Sequence, residues 1–300
     1  CPSNVDMARL KAEFLYQYQK SNPVSIRTKL IAHNAKINSI AHRFAGVYNF
    51  LGNKSWFKSL IGVHENRSLP SLLPTTLRQW FSVHKQKKQL RSVYFFCDEY
   101  TNHYDVEIGK KSILLLNKLG YTVLMPSHAE SARAYISKGF LEQAKTIATD
   151  NINTFSTLVT KDAPLIGIEP SAILGFRDEY PNLVDPSLKS VAENLAHNVF
   201  IIEEFLANEL ASNHIAISNF TSKTETIYYH GHCHQKALSS NSFAITILGM
   251  PLNFKVSAID SGCCGMAGSF GYEKEHYDLS QQIGEDRLFP ALRAMKSNAI

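Results

Sequence analysis

Three cysteines stand at a spacing that could gather thiolates around a soft metal. Cys263 and Cys264 are adjacent, in the run Cys263-Cys264-Gly265-Met266-Ala267-Gly268-Ser269-Phe270-Gly271. Cys233 comes 30 positions before Cys263, inside His230-Gly231-His232-Cys233-His234. Thiolates suit soft metals and Fe–S clusters. Adjacent cysteines do not easily aim at one tetrahedral ion, but they can reach different irons of a cluster. The glycines let the backbone approach a bulky ligand closely. Cys233 follows one predicted strand and the pair follows the next, and ends of parallel strands converge on one sheet edge. Cys233, Cys263 and Cys264 are therefore the candidate metal ligands, and a cluster held by four cysteines would need one more. Zinc is the competing ion. His232 and His234 are secondary candidates. Alternation along an extended segment keeps His230, His232 and His234 from all facing one ion, although one could hydrogen-bond a cluster sulfur. The plain alternative is a buried, inert cysteine. It is the preferred reading of Cys97, while the glycine density argues against it for the pair.

Cys1-Pro2 is a weaker signal of the same kind. Ferredoxin-type cluster runs end in Cys-Pro after three closely spaced cysteines. Cys1 is a candidate ligand on that reading, with partners that would precede it.

The elements that must position these residues change character along the chain. Residues 1–91 read as all-helical. Met7, Leu10, Phe14 and Leu15 recur at helical spacing after Asp6, a plausible N-cap. Further helical stretches run over 24–50 and 56–63, then a Pro-marked loop from Leu69 leads to Leu77-Arg78-Gln79-Trp80-Phe81. Lys85-Gln86-Lys87-Lys88 reads as a solvated linker. From Ser92, strands alternate with helices. Strands are predicted over 93–96, 121–125, 165–168, 226–229 and 254–259. Helices are predicted over 106–119, 139–158, 170–180, 188–210, 241–248 and 275–296. This order implies an α/β architecture with mainly parallel sheets.

The two halves also resemble each other. Cys97 and Cys233 each follow a strand, 136 positions apart; Glu130 and Cys263 are 133 apart, and Gly139 and Gly271 are 132 apart. The near-constant offset predicts two related α/β units, 92–186 and 224–300, joined by a helical connection over 187–223. The counterpart of Glu169-Pro170-Ser171-Ala172 would fall at about residue 305, past Ile300.

Composition sets limits. The chain has 300 residues, 44% hydrophobic and 19% charged, as expected of a globular protein with a core. The excess of 31 Lys and Arg over 26 Asp and Glu is too small to argue for a nucleic-acid partner. Five cysteines, two of them adjacent, do not make a secreted disulfide framework and fit a reducing compartment. No membrane-span-length apolar run or signal peptide is visible. No Ser-His-Asp arrangement, Walker loop or dinucleotide glycine fingerprint is present.

The segments 230–236 and 260–272 resemble the cysteine-rich (CCG) domain of Fe–S oxidoreductases. That family includes the iron–sulfur subunits of glycolate oxidase and anaerobic glycerol-3-phosphate dehydrogenase, and heterodisulfide reductase subunits. Cys1 to Met7, Leu69 to Phe81, Glu169-Pro170-Ser171 and Arg177 to Tyr180 resemble the C-terminal third of bacterial FAD-linked oxidases of the D-lactate or D-2-hydroxyglutarate dehydrogenase type. The resemblance implies a [4Fe–4S] cluster in the whole protein, FAD on a domain outside these 300 residues, and electron transfer to an acceptor such as a quinone or cytochrome. It implies no catalytic residue in this chain, which by itself is expected to be inactive, and a metal-free site here is compatible with it. The reducing-compartment reading makes the expected location cytoplasmic, and Trp56, Trp80 and Lys85 to Lys88 suggest peripheral attachment to the inner membrane. The family's cysteine pair falls on Glu130-Ser131 in the first unit, and a further cysteine falls on Ala172. Carboxylate and hydroxyl replace thiolate poorly at a cluster, so the first repeat is expected to be degenerate and the second intact. The alternatives are a zinc-binding or thiol-redox module, and a structural module without metal.

Overall fold

The computed structural model describes residues 6–295, apart from the side chain of Asn219. It is an α/β chain that divides into two compact units, residues 1–53 with 69–199, and residues 54–68 with 200–300.

Through residue 90 the elements of the chain are helices: α1 (Met7–Ser21), α2 (Ile26–Ala32), α3 (Asn34–Ala41), α4 (Ala45–Gly52), α5 (Ser55–Leu60) and α6 (Leu77–Val83). Asp6 caps α1 by accepting from the amides of Ala8 and Arg9. The apolar stripe of α1 differs from the buried face its spacing implies. Met7, Leu10 and Phe14 are exposed, and Ala12 is the buried residue. The helix instead packs through Leu15 and Tyr16, whose backbone lies so close to Gly139 that a Cβ there would meet Leu15 Cβ at 2.5 Å.

The first unit continues with β1 (Arg91–Phe95), α7 (Glu99–His103), α8 (Val106–Lys118), β2 (Tyr121–Leu124), α9 (Arg133–Ser137), α10 (Leu141–Phe155), β3 (Leu165–Gly167), α11 (Pro170–Ile173), α12 (Tyr180–Leu183), α13 (Lys189–Ala196) and β4 (Val199–Ile201), at whose first residue the unit ends. The sheet order is β2-β1-β3-β4, with β1 parallel to both β2 and β3. Val93, Phe95, Leu165 and Ile166 are fully buried between the helices, and Ala144, Ala148, Ile152 and Phe155 form the covered face of α10. The fourth strand corrects the helix expected over 188–210. α13 stops at Ala196, and Leu165 donates its amide to the carbonyl of Asn198 at 2.9 Å. The exposed edge of β3 thus takes up backbone that helical spacing alone assigns to one long helix.

The second unit holds α14 (Ile202–Ala211), β5 (Thr224–Tyr229), α15 (Cys233–Leu238), α16 (Asn241–Leu248), β6 (Asn253–Ala258), α17 (Tyr277–Asp286) and α18 (Leu288–Arg293), together with α5. β5 and β6 are parallel neighbours, in register from Thr224 against Asn253 to Tyr229 against Ala258. The helix expected over 275–296 is broken at Arg287, which separates α17 from α18. Among the described residues, no helix is long and apolar enough to cross a membrane.

Candidate functional site

Because β5 and β6 pair in parallel, both chains leave the sheet at the same edge. Past β5 come His230, Gly231 and His232, then α15 begins at Cys233. Past β6 the chain runs through Asp260, Ser261 and Gly262 to Cys263 and Cys264. Two bonds hold the exits together. Ile259 donates its amide to the carbonyl of Tyr229 at 2.9 Å, and His230 Nδ1 lies 2.7 Å from Ser261 Oγ. Cys233, Cys263 and Cys264 are brought together. Burial raises the Cys233 thiol above its ordinary range, and the neighbouring Cys263 and Cys264 sulfurs raise it further. Cys233 and Cys263 are exposed and Cys264 is half-buried. The amide of Gly265 donates to Cys263 Sγ at 3.3 Å.

The glycines do a different job from the one their density suggests. Gly265 has φ +79°, and a Cβ on it would meet the carbonyl oxygen of Ser280 at 2.1 Å. A Cβ on Gly271 would meet Met266 Sδ at 2.6 Å. These glycines fold the loop tightly on itself and on α17, and so place the thiols, rather than clearing room for a ligand. Arg67 completes the clamp, donating from Nε to the Gly271 carbonyl and from Nη2 to Ser280 Oγ, each at 2.7 Å. Sequence reasoning missed Arg67, because nothing local marks a residue about 200 positions away as its partner.

The histidines do not lie on one extended segment. His232 is the N-cap of α15, its Nδ1 accepting from the amide of His234 at 3.2 Å, and His234 is already helical. Their rings stack with centroids 5.6 Å apart, while His230 turns to Ser261. Cys1 lies outside the described residues. A further compact group was also missed. Ligand atoms of Glu273, Glu275 and His276 lie within 4.8 Å of one another, with His276 Nδ1 3.3 Å from Glu273 Oε2.

The first unit places different chemistry at its strand ends. Cys97 follows β1 and is 2% exposed, and burial pushes its thiol up to about 12, so it stays protonated. Its neighbour Asp98 caps α7 through the amides of Tyr100 and Thr101. Glu99 accepts from both the amide and the hydroxyl of Ser131, at 2.9 and 2.7 Å. After β2 come Glu130, Ser131 and Ala132; Ala132 adopts φ +62°, and Gly265 in the second unit has φ +79°. Asn151 donates to the Glu130 carbonyl at 2.8 Å, and Tyr180 donates to the Ser131 carbonyl at 3.0 Å, fixing this loop from below.

Known proteins share this sequence along nearly its whole length. The chain is 26% identical over 314 residues to D-2-hydroxyglutarate dehydrogenase of Escherichia coli K12, covering 99% of this chain and 30% of that protein. It is 26% identical to a subunit of anaerobic glycerol-3-phosphate dehydrogenase of the same organism, covering 94% of this chain and 72% of that subunit. A D-2-hydroxyglutarate dehydrogenase of Haemophilus influenzae matches at 23%, over 94% of this chain and 29% of its own length. These relatives are oxidoreductases. The chain spans about a third of the length of the D-2-hydroxyglutarate dehydrogenases it matches. No protein-family model matches the chain. No solved structure matches it.

Proposed function

We propose that this chain is an electron-transfer module of a dehydrogenase that oxidises a D-2-hydroxy acid with FAD carried elsewhere. Cys233, Cys263 and Cys264 are its ligands to an iron–sulfur cluster of the [4Fe–4S] type. The observation that carries the reading is the meeting of these three thiols at one edge of two neighbouring parallel strands, in a chain whose relatives are dehydrogenases.

The residues fit the group. Three soft donors lie at the start of α15 and on the loop after β6, two of them exposed, where a cluster can exchange electrons with a partner. When bound, a cluster supplies one-electron transfer between the flavin and an acceptor such as a quinone or cytochrome. The chain's own residues do the rest. The Gly265 amide donates to Cys263 Sγ, and hydrogen bonds to ligand sulfur tune the potential. His230 with Ser261 sets the separation of the two ligand loops, and Arg67 holds the glycine-rich turn. In the same reading the first unit is an equivalent, degenerate repeat, with Glu130, Ser131 and Ala132 at the positions of Cys263, Cys264 and Gly265. Peripheral attachment to the inner membrane belongs to the same reading.

Anaerobic iron, sulfide and zinc analysis with a visible spectrum tests this in the chain and in Cys233→Ser. Iron with broad visible absorbance, lost in the variant, is expected. Zinc in its place, or no metal in the whole protein after anaerobic reconstitution, overturns it.

A further inference from the structure

The helical run from α3 to α4 is turned inside out. α3, the short turn His42–Phe44 and α4 follow one another without a break. The polar side chains of the run face inward. Asn38 and His42 are 3% and 6% exposed. Asn38 Nδ2 donates to the Tyr104 hydroxyl at 2.9 Å, and His42 Nδ1 lies 3.1 Å from the carbonyl of Pro74. Asn49 exchanges two bonds with the backbone of Leu72, at 3.0 and 2.9 Å. These bonds fix the rotation of the run and turn its large apolar residues outward. Ile40 and Phe44 are 64% and 65% exposed, and Ile37, Val47 and Phe50 are exposed with them. Spacings of three and four positions put these five on one side of the run. A surface helix ordinarily turns such a stripe toward the core.

The charge around this row has one sign. From Phe14 to Gly52 the chain carries Lys20, Arg27, Lys29, Lys36 and Arg43 and no Asp or Glu. Lys36 and Arg43 are exposed and stand four and three positions from Ile40, which makes them its neighbours on the helix surface. α2 repeats the arrangement, with Ile26 and Leu30 exposed beside the exposed Lys29. An apolar row bordered by cations alone does not suit a second copy of the same face, because cation would meet cation. It also differs from protein interfaces, which are depleted in lysine. It has the make-up of helices that lie in a membrane surface. There, apolar side chains enter the boundary between headgroups and acyl chains, and Lys and Arg stay at the anionic headgroups.

We propose that the outward face of α2 to α4 lies on the surface of a bilayer rich in anionic phospholipid. Ile40, Phe44, Val47 and Phe50 enter the apolar boundary, and Lys29, Lys36 and Arg43 meet the headgroup phosphates. This deepens the peripheral attachment in the reading above and rests on that reading for the membrane alone. It moves the contact away from Trp80, whose ring is half-buried and stacked on His84. No metal enters it, so chain with and without a cluster is expected to bind alike.

Flotation of the whole protein, and of this chain beside it, tests the face on phosphatidylcholine vesicles with and without phosphatidylglycerol. Both are expected to bind the anionic vesicles, and the neutral ones more weakly. Arg43→Gln is expected to weaken binding to anionic vesicles about fivefold, the effect of one cation near the surface, and to leave neutral vesicles unchanged. Phe44→Ser is expected to weaken binding to both about tenfold or more, as loss of one buried ring. Leu90→Ser removes a fully exposed apolar residue outside these helices and is expected to change nothing. Circular dichroism confirms that each variant folds. A whole protein that stays off anionic vesicles overturns the proposal, even where the chain alone binds, because another part of the protein then covers the face. Equal binding to both vesicle types, or binding undiminished in Phe44→Ser, overturns it too. A dimer in sedimentation that Phe44→Ser abolishes, in place of vesicle binding, gives the face to a second copy and overturns it. None of these outcomes touches the metal analysis of Cys233, Cys263 and Cys264, which lie in the second unit.

Discussion

His230 Nδ1 lies 2.7 Å from Ser261 Oγ, and this side-chain contact joins the segment that leads to Cys233 to the loop that carries Cys263 and Cys264. The backbone bond from Ile259 to Tyr229 aligns the strand ends, but the histidine–serine bond reaches further along both loops. Ser261→Ala is expected to lower stability by about 1 kcal/mol, the net value of an ordinary hydrogen bond. It is also expected to speed cluster loss on exposure to a chelator. Iron release followed at a fixed chelator concentration, beside a urea melt, checks both; unchanged release would show that the strands alone set the ligand spacing.

Gly265 is required by conformation and by space together. Gly265→Ala places a methyl group against the Ser280 carbonyl at a backbone angle that disfavours any side chain. A loss of about 2 kcal/mol or more is expected. Gly268 also has positive φ, but a Cβ there meets nothing within 4 Å. Gly268→Ala is therefore expected to cost only about 1 kcal/mol, the conformational part alone. Comparing the two denaturation midpoints separates crowding from backbone strain.

The four described thiols should divide by reactivity. In metal-free, reduced chain, the exposed Cys263 is expected to alkylate readily with iodoacetamide at pH 8, and Cys233 more slowly, because its thiol is raised by burial and by the neighbouring sulfurs. Cys97 is expected to resist until the chain unfolds, because it is buried and its thiol is pushed up to about 12. Peptide mass spectrometry of native and urea-treated samples reads this out. Native labelling of Cys97 would contradict the packing of the loop after β1.

Buried acids give the first unit an unusual pH dependence. Burial, with the nearby Glu99 and Glu169 carboxylates, pushes Asp98 up to about 8, and burial pushes Glu130 up to about 7. The folded state therefore holds protons that the unfolded chain has released. Their contribution to stability is fully present below the ordinary carboxylate range near pH 4, falls as pH rises, and levels off above about pH 8. Asp98→Asn can still cap α7 and needs no proton, so it is expected to flatten the slope between pH 5 and 8. Urea melts above about pH 6.5, where the buried, neutral His103 and His128 no longer oppose the trend, check the sign; stability rising with pH there would refute it.

Much of the site was readable from residue types, because local signals encode local chemistry. Cys263-Cys264-Gly265 marks itself by composition, and the strands before it and before Cys233 follow from alternation and turn residues. The α/β order and the capping of α1 by Asp6 are equally local. β4 was hidden because a three-residue strand inside a helical pattern is decided by its partner β3, whose backbone groups need pairing.

The sequence by itself determined which thiols exist and that parallel strand ends would carry them. Only the tertiary structure decided that Arg67 clamps the turn from about 200 positions away, and that the α1 stripe faces outward. It alone decided that Glu99, Glu130, His103 and Lys36 meet around one open hollow. These outcomes depend on which distant backbones pack together. The unpaired polar atoms they leave follow from burial, which composition and spacing do not specify.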